Sequence, residues 1–180
     1  MKLAVIACIL LLTELATAQI PTSGNVFFGY SYYNTNLTAN RGSLNGWEGS
    51  VEGKIFPFVG VVGDVSGHYG SESLLSCTVP ILDCIVINSS VSQHNFLFGP
   101  RVSVSVGKFR PFAEAFVGAA HINAQFAGSD TSFASAVGGG LDYKFGRIFA
   151  WRFQGDYVHT HLFSISQNNA RVSTGLVLRF

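Results

Sequence analysis

Polar and apolar residues alternate along almost the whole chain beyond residue 24. A period of two puts successive side chains on opposite faces of an extended strand, so the pattern predicts β-strands. We predict eight strands, at 25–34, 44–55, 59–70, 94–106, 110–120, 133–144, 148–159 and 170–180. Most globular strands have about five or six residues, whereas these have about ten to twelve, close to the roughly 9–11 residues of a tilted membrane-spanning strand.

The connections between the predicted strands alternate in length. Tight turns are expected at 56–58, 107–109 and 145–147. The other links are longer and polar or irregular, at 35–43, 71–93, 121–132 and 160–169. Short turns at one end and longer loops at the other predict an up-and-down antiparallel meander.

The two faces of the predicted strands differ in charge. One face is uncharged and mainly apolar: Val26, Phe28, Tyr30, Tyr32, Trp47, Val51, Ile55, Val59, Val61, Val65, Tyr69, Phe96, Phe98, Val102, Val104, Ala113, Ala115, Val117, Phe133, Val137, Leu141, Tyr143, Phe149, Trp151, Phe153, Tyr157, Val172, Leu176, Leu178 and Phe180. To the opposite face we assign six acids and six bases: Glu48, Glu52, Lys54, Asp64, Arg101, Glu114, Asp142, Lys144, Arg152, Asp156, Arg171 and Arg179.

Two kinds of closed barrel fit this separation of charge. A soluble ligand-carrying barrel would point its apolar face inward and its charges to water. A membrane barrel would point the apolar face to lipid, where one Arg or Lys at mid-membrane costs about 2–4 kcal/mol. Aromatic residues near strand ends, such as Trp47, Tyr143 and Tyr157, are typical of interfacial girdles. We therefore predict an all-β protein, a closed eight-stranded antiparallel up-and-down transmembrane β-barrel.

The first residues have the pattern of an export signal. Lys2 precedes the apolar stretch Leu3 to Leu12, and Ala16-Thr17-Ala18 is a small-residue cleavage site. The apolar stretch is shorter than the roughly 20 residues that a spanning helix needs. We predict a cleaved signal peptide at 1–18 and a barrel domain at 19–180.

Composition narrows the possible partners. Ten acidic and eleven basic residues give a net charge of +1, so no basic excess favours nucleic acid. After cleavage only Cys77 and Cys84 remain, and in an oxidising compartment we expect them to form a disulfide within one loop. A metal or redox pair would more often have C-x-x-C spacing. No cofactor is expected.

Three segments resemble the small eight-stranded bacterial outer-membrane β-barrels, such as the barrel domain of outer membrane protein A and the surface-antigen-type barrels. They are 136–144 (AVGGGLDYK), 155–157 (GDY) and the closing strand 171–180 (RVSTGLVLRF). In the closing strand, Phe180 follows Val172, Leu176 and Leu178 at even spacing, which resembles the signal read by the barrel assembly machinery. The resemblance implies a bacterial outer-membrane location, with lipid and that machinery as partners, and no cell-wall anchoring.

The charged face has two interpretations. An eight-stranded barrel is only wide enough for its own side chains, so we expect a salt-bridge network that fills the bore. Register around the 107–109 turn brings Arg101 almost opposite Glu114, which favours this interpretation. The alternative is a narrow pore for ions or small solutes.

A membrane-embedded lipid hydrolase is the third interpretation. Asp64, Ser66 and His68 share one strand face and are the residue types of a Ser-His-Asp triad. In a working triad the acid lies on the far side of the His, whereas here Asp64 lies beyond the Ser. All three side chains also point inward, away from the lipid. We therefore expect no catalytic residues. The other histidines, His94, His121, His159 and His161, are expected at the solvated loop end and not in a metal site.

The link at 71–93 is unusually apolar for a loop. Leucine, isoleucine and valine surround the two cysteines at 74–87. Two interpretations remain open, a hairpin that extends beyond the membrane and a binding site for an extracellular ligand. We expect a structural or surface-interaction role for the protein.

Overall fold

The computed structural model describes residues 23–35, 42–78, 83–125, 128–162 and 165–180, and for 72–78, 83–89 and 165 it describes the backbone alone. The predicted signal peptide at 1–18 lies outside these residues. The strands are β1 (Gly24–Thr35), β2 (Gly42–Lys54), β3 (Val59–Thr78), β4 (Asp83–Ser103), β5 (Phe109–Ala124), β6 (Gly128–Lys144), β7 (Phe149–Leu162) and β8 (Ile165–Arg179). The described part of the chain contains no helix long and apolar enough to cross a bilayer.

The eight strands form one closed antiparallel barrel in which each strand pairs with the next and β8 pairs with β1. The predicted fold is therefore confirmed. At the closing seam Gly29 lies directly opposite Gly175. A Cβ on Gly175 would lie 2.4 Å from the Cα of Gly29, so the two strands approach at a distance that only glycine allows.

Three short turns and the two ends of the described chain meet at one end of the barrel, here called the turn end. In the turn between β4 and β5, Gly107 has a φ of 61°, which suits glycine, and Val106 and Phe109 exchange backbone hydrogen bonds. Gly24 and Phe180 exchange backbone hydrogen bonds at the seam. The opposite end is called the loop end.

The strand limits differ most from prediction at β3 and β4. We predicted strands ending at 70 and beginning at 94, with a loop at 71–93. Instead the ladder continues without interruption from Val59↔Val102 to Thr78↔Asp83. The loop prediction is wrong for most of this segment, and the alternative of a hairpin beyond the membrane describes it better. Valine and isoleucine favour extended backbone, which explains the continuation.

The barrel has an apolar outside and a filled inside. Large apolar side chains such as Phe28, Phe98 and Phe133 are about 60% exposed on the outer surface. Residues one position away, such as Phe27 and Leu97, are buried inside. The core of this protein is therefore the bore itself, and the strands present their apolar majority outward.

Candidate functional site

The described interior contains most of the charged residues that strand parity assigned to it. Buried there are Glu48, Glu52, Asp64, Arg101, Glu114, Asp142, Arg152, Asp156 and Arg171. Lys54, Lys144 and Arg179 are half-buried at the turn end. Arg110 is also buried, and our sequence reasoning missed it. Its even position, shared with Glu114 on the same strand, was the signal that could have found it.

The half of the bore near the turn end contains a network centred on Glu52. Lys54 Nζ lies 2.9 Å, and Arg110 Nη2 2.8 Å, from Glu52 Oε1. Arg101 Nη1 lies 3.2 Å from Glu52 Oε2, and Asn25 donates to the same oxygen at 2.7 Å. One carboxylate thus receives hydrogen bonds from four side chains. These bonds connect β2, β4, β5 and the first residues of β1.

Two further ion pairs complete this network, here called the lower network. Arg101 Nε lies 2.5 Å from Glu114 Oε2. Arg152 is bidentate to Asp142, with Nε–Oδ1 at 2.7 Å and Nη2–Oδ2 at 3.0 Å. The guanidinium groups of Arg101 and Arg152 lie 4.6 Å and 4.7 Å from the centre of the Phe112 ring, so both cations contact the same aromatic ring.

Nearer the loop end, Arg171 is surrounded by three carboxylates, here called the upper cluster. Its Nη1 lies 2.7 Å from Asp64 Oδ1, and its Nε 2.9 Å from Asp156 Oδ2. Nε also lies 3.4 Å from Glu48 Oε2. Gln154 bridges Glu48 and Asp156 by donating to both at 2.9 Å. The arrangement crosses the bore, because Asp64 is on β3 and Arg171 is on β8.

The side chains Asp64, Ser66 and His68 do not form a triad. His68 Nε2 lies 2.9 Å from Ser31 Oγ. Ser66 Oγ accepts from Asn95 at 3.2 Å and from Arg171 at 3.3 Å. Among the described hydrogen bonds, none joins Ser66 to His68, so the geometry does not support nucleophilic catalysis at this position.

The other four histidines lie outside the bore on the half of the barrel near the loop end. His94 lies directly opposite His121, and its Nε2 is 3.1 Å from the Tyr69 hydroxyl. The Nδ1 atoms of the other three lie within hydrogen-bond distance of a side-chain oxygen: His121 is 2.7 Å from Thr131, His159 is 2.8 Å from Asn168 and His161 is 3.1 Å from Ser166. Within the described ranges no group of three or more His, Cys, Asp or Glu residues could hold a metal ion.

Beyond the barrel wall, β3 and β4 form ladders only with each other among the described residues. The β2–β3 ladder begins at Tyr69, and the β4–β5 ladder begins at Val91. The eight further pairs, from Ser71↔Ser90 to Thr78↔Asp83, form a two-stranded ribbon about 27 Å long at roughly 3.4 Å per residue. At its base the Gln125 N–H donates to Ser90 O at 3.1 Å. We call this ribbon the protruding hairpin. Cys77 lies opposite Cys84 in its backbone register, while their side chains lie outside the described part.

The closing strand presents the predicted assembly residues on the outer face. Val172, Leu176, Leu178 and Phe180 are 57%, 37%, 43% and 63% exposed. Trp151 beside them donates to Thr174 Oγ1 at 2.8 Å. This face is continuous with the apolar outside of the barrel and contains no charged residue in its described strands.

An apolar exterior without charge and a closed sheet together define a transmembrane β-barrel, because lipid requires both, and the charged residues are then confined to the interior. The comparison with solved structures agrees with this class. No protein-family model and no curated protein matches the chain.

Solved structures of small outer-membrane barrels do share the fold. Ail, the attachment invasion locus protein of Yersinia pestis, has a TM-score of 0.60 at 17% identity, with 88% of this chain and 98% of that chain covered. Neisserial surface protein A has a TM-score of 0.66 at 10% identity, covering 87% and 97%. OprG from Pseudomonas aeruginosa has a TM-score of 0.57 at 9% identity, covering 88% and 95%. At these identities the likeness shows the fold alone.

Proposed function

We propose that the chain is an integral protein of the bacterial outer membrane whose ion-paired bore supports the barrel and whose protruding hairpin binds a protein partner outside the cell. In such barrels the short turns face the periplasm and the longer connections face outward. On that basis the hairpin extends from the outer surface. The proposal includes export through a cleaved signal peptide at 1–18 and recognition of Val172, Leu176, Leu178 and Phe180 by the assembly machinery.

The observation that carries the binding role is the length of the hairpin beyond the barrel wall. A strand needs only about 9–11 residues to cross a membrane, yet β3 and β4 have 20 and 21. The outer edges of Ser71–Thr78 and 83–89 have no strand partner in the described ladders. An unpaired edge offers a row of N–H and C=O groups to an incoming strand.

The chemistry of the hairpin favours a protein partner. The apolar residues at 74–87 suit contact with an apolar protein surface. One relative in fold, Ail, was solved in complex with a heparin analogue, sucrose octasulfate. A sulfated ligand requires cations, whereas 71–90 contains Glu72 and Asp83 and no Lys or Arg. A sulfated polysaccharide is therefore not the partner that this hairpin fits.

The experiment compares the full chain with a variant in which 74–87 is replaced by Asn-Gly. Ser73 lies opposite Asn88, so the shorter hairpin keeps its register and gains a two-residue turn. Both proteins are displayed on a non-adherent bacterium, and adhesion to epithelial cells is measured with and without protease treatment of those cells. Loss of adhesion in the variant, and after protease treatment, supports the proposal. Equal adhesion by both proteins contradicts it, as does protease-resistant adhesion.

A narrow pore is the second candidate. The observation that favours it is the polar interior, which extends from Lys54 at the turn end to His68 in the upper half. Against it stands the packing of Phe112, Arg101 and Arg152 across the lower bore. Conductance of the refolded chain in a planar bilayer decides between a closed barrel and a pore.

A further inference from the structure

The barrel interior opens at the turn end into a cavity of about 760 Å³, here called the vestibule. Four cations line it: Lys54, Arg110, Arg147 and Arg179. No aspartate or glutamate side chain is in its lining, all of which belongs to the described chain. The vestibule lies at the opposite end of the barrel from the protruding hairpin, so a ligand of the vestibule does not depend on the partner proposed for the hairpin.

The floor of the vestibule has an excess of positive charge. The lower network shares Lys54 and Arg110 with this lining. It contains four cations in all, Lys54, Arg101, Arg110 and Arg152. It contains three carboxylates, Glu52, Glu114 and Asp142. Each of these carboxylates is already paired with at least one of these cations. A cleft lined by charges of one sign with low-dielectric walls concentrates counter-ions of the opposite sign.

Two of the lining cations form no ion pair within the described part of the chain. Among the described residues no carboxylate lies within 4.0 Å of the side-chain nitrogens of Arg147 or Arg179. This includes the α-carboxylate of Phe180, whose residue also lines the cavity. Even when the charge of that carboxylate is counted, the lining has a net positive charge. Both guanidinium groups are therefore available to a ligand.

We propose that the vestibule binds a phosphate-bearing anion. Arginine presents paired donors that match phosphate oxygens, and a lysine adds a point charge. Ser103 and Ser105 are in the same lining, together with Phe56 and Phe58. The donors suit the phosphate, and the aromatic rings suit an apolar group attached to it. Such a phosphate is present in soluble phosphate esters and in phospholipid headgroups of the adjacent leaflet.

The test titrates inorganic pyrophosphate into the refolded chain 19–180 in non-ionic detergent at low salt, with isothermal calorimetry as the readout. Arg147→Gln and Arg179→Gln each remove one lining charge, and we expect each to weaken binding roughly tenfold. Lys108→Gln is the matched control. Lys108 is an exposed cation in a neighbouring turn and does not line the cavity. We expect Lys108→Gln to bind within twofold of the parent protein.

Repeating the titration in nanodiscs separates the two sources of phosphate. If phosphatidylglycerol occupies the vestibule, pyrophosphate binds more weakly in discs that contain it than in phosphatidylcholine discs, and the source is the lipid headgroup. If both discs give the same affinity, the source is a soluble ester. Absence of pyrophosphate binding in detergent overturns the proposal. Equal weakening by Lys108→Gln overturns it too, because general electrostatics would then suffice. A gel-mobility shift on boiling verifies that each variant is folded.

Discussion

At the scale of single residues, Glu52 shows why buried charges persist in this barrel. Its carboxylate contacts Lys54, Arg101 and Arg110 in the interior, where desolvation of each ion is costly. The alternative would be to turn these cations toward lipid, which costs about 2–4 kcal/mol for each at the membrane midplane. Pairing inside the bore is therefore the less costly position for a charge, even though the pairs themselves add little net stability.

Replacing Glu52 by Gln should destabilise the barrel strongly. The substitution keeps the shape of the side chain but leaves three cations without their shared carboxylate, and breaking a buried pair on one side costs about 3–5 kcal/mol. The free energy of unfolding, measured in urea with the protein in lipid vesicles, should fall by about that amount. Lys108→Gln changes an exposed charge and should remain within about 0.5 kcal/mol of the parent protein. A loss below about 1 kcal/mol in Glu52→Gln would argue that the lower network is dispensable.

A second prediction concerns the closing seam. Gly175→Ala would put a methyl group against the backbone of Gly29, so β1 and β8 must separate, at a cost of about 1–3 kcal/mol. Gly155 is on the neighbouring strand, and a Cβ there would meet nothing within 4 Å. Gly155→Ala should therefore be neutral or slightly stabilising. Urea unfolding of the two variants in vesicles measures the difference, and equal stability would show that the seam can relax freely.

At the scale of elements, the β3–β4 hairpin is the feature that departs from a minimal barrel. Its two strands continue for eight pairs past the last contacts with β2 and β5. A two-stranded ribbon is marginally stable by itself in water. The protruding hairpin therefore needs a further constraint, and Cys77 opposite Cys84 in the ladder is where the chain offers a covalent one.

We predict that Cys77 and Cys84 form a disulfide in the exported protein. Residues directly opposite in an antiparallel ladder have Cα atoms about 4.5–5.5 Å apart, within the range that a disulfide spans. Denatured, exported protein should react with a thiol reagent only after reduction. Cys77→Ser with Cys84→Ser should increase protease cleavage within the hairpin while leaving the barrel intact. Labelling of both thiols without reduction would refute the prediction.

At the scale of the whole molecule, the interior is divided by charge. The lower network has more cations than carboxylates, and the upper cluster has three carboxylates around Arg171. The outer surface has no such division and presents apolar side chains to lipid all around the described barrel. The interior rather than the exterior therefore determines what could pass through the protein or be held in it.

We predict that the refolded chain does not conduct ions in a planar bilayer. Aromatic and guanidinium side chains fill the lower bore, with Arg152 5.0 Å from the centre of the Phe27 ring as well as close to Phe112. Single-channel recordings should therefore show no discrete steps, with a boiled-gel shift to verify folding. Reproducible steps would favour the pore over the closed barrel. Glu52→Gln, which releases three cations, is the variant in which leakage is most expected.

The sequence alone predicted much of this architecture because the period of two is a local property of the chain. It predicted eight strands, their antiparallel order and the separation of charged from apolar faces. Register across a single turn also indicated one ion pair, since Arg101 near Glu114 follows from hairpin geometry, and the two are directly opposite in the ladder. Arg110 was accessible to the same parity argument and was overlooked.

The tertiary structure alone decided which distant charges meet. Arg171 contacts Asp64 across 107 positions of the chain, and Arg110 contacts Glu52 across 58. These contacts depend on how far the strands are staggered when the barrel closes, which no local pattern encodes. The extent of β3 and β4 and the basic vestibule likewise arise only once the strands are paired. Alternation determines which face a side chain lies on, and barrel closure determines its neighbour across the bore.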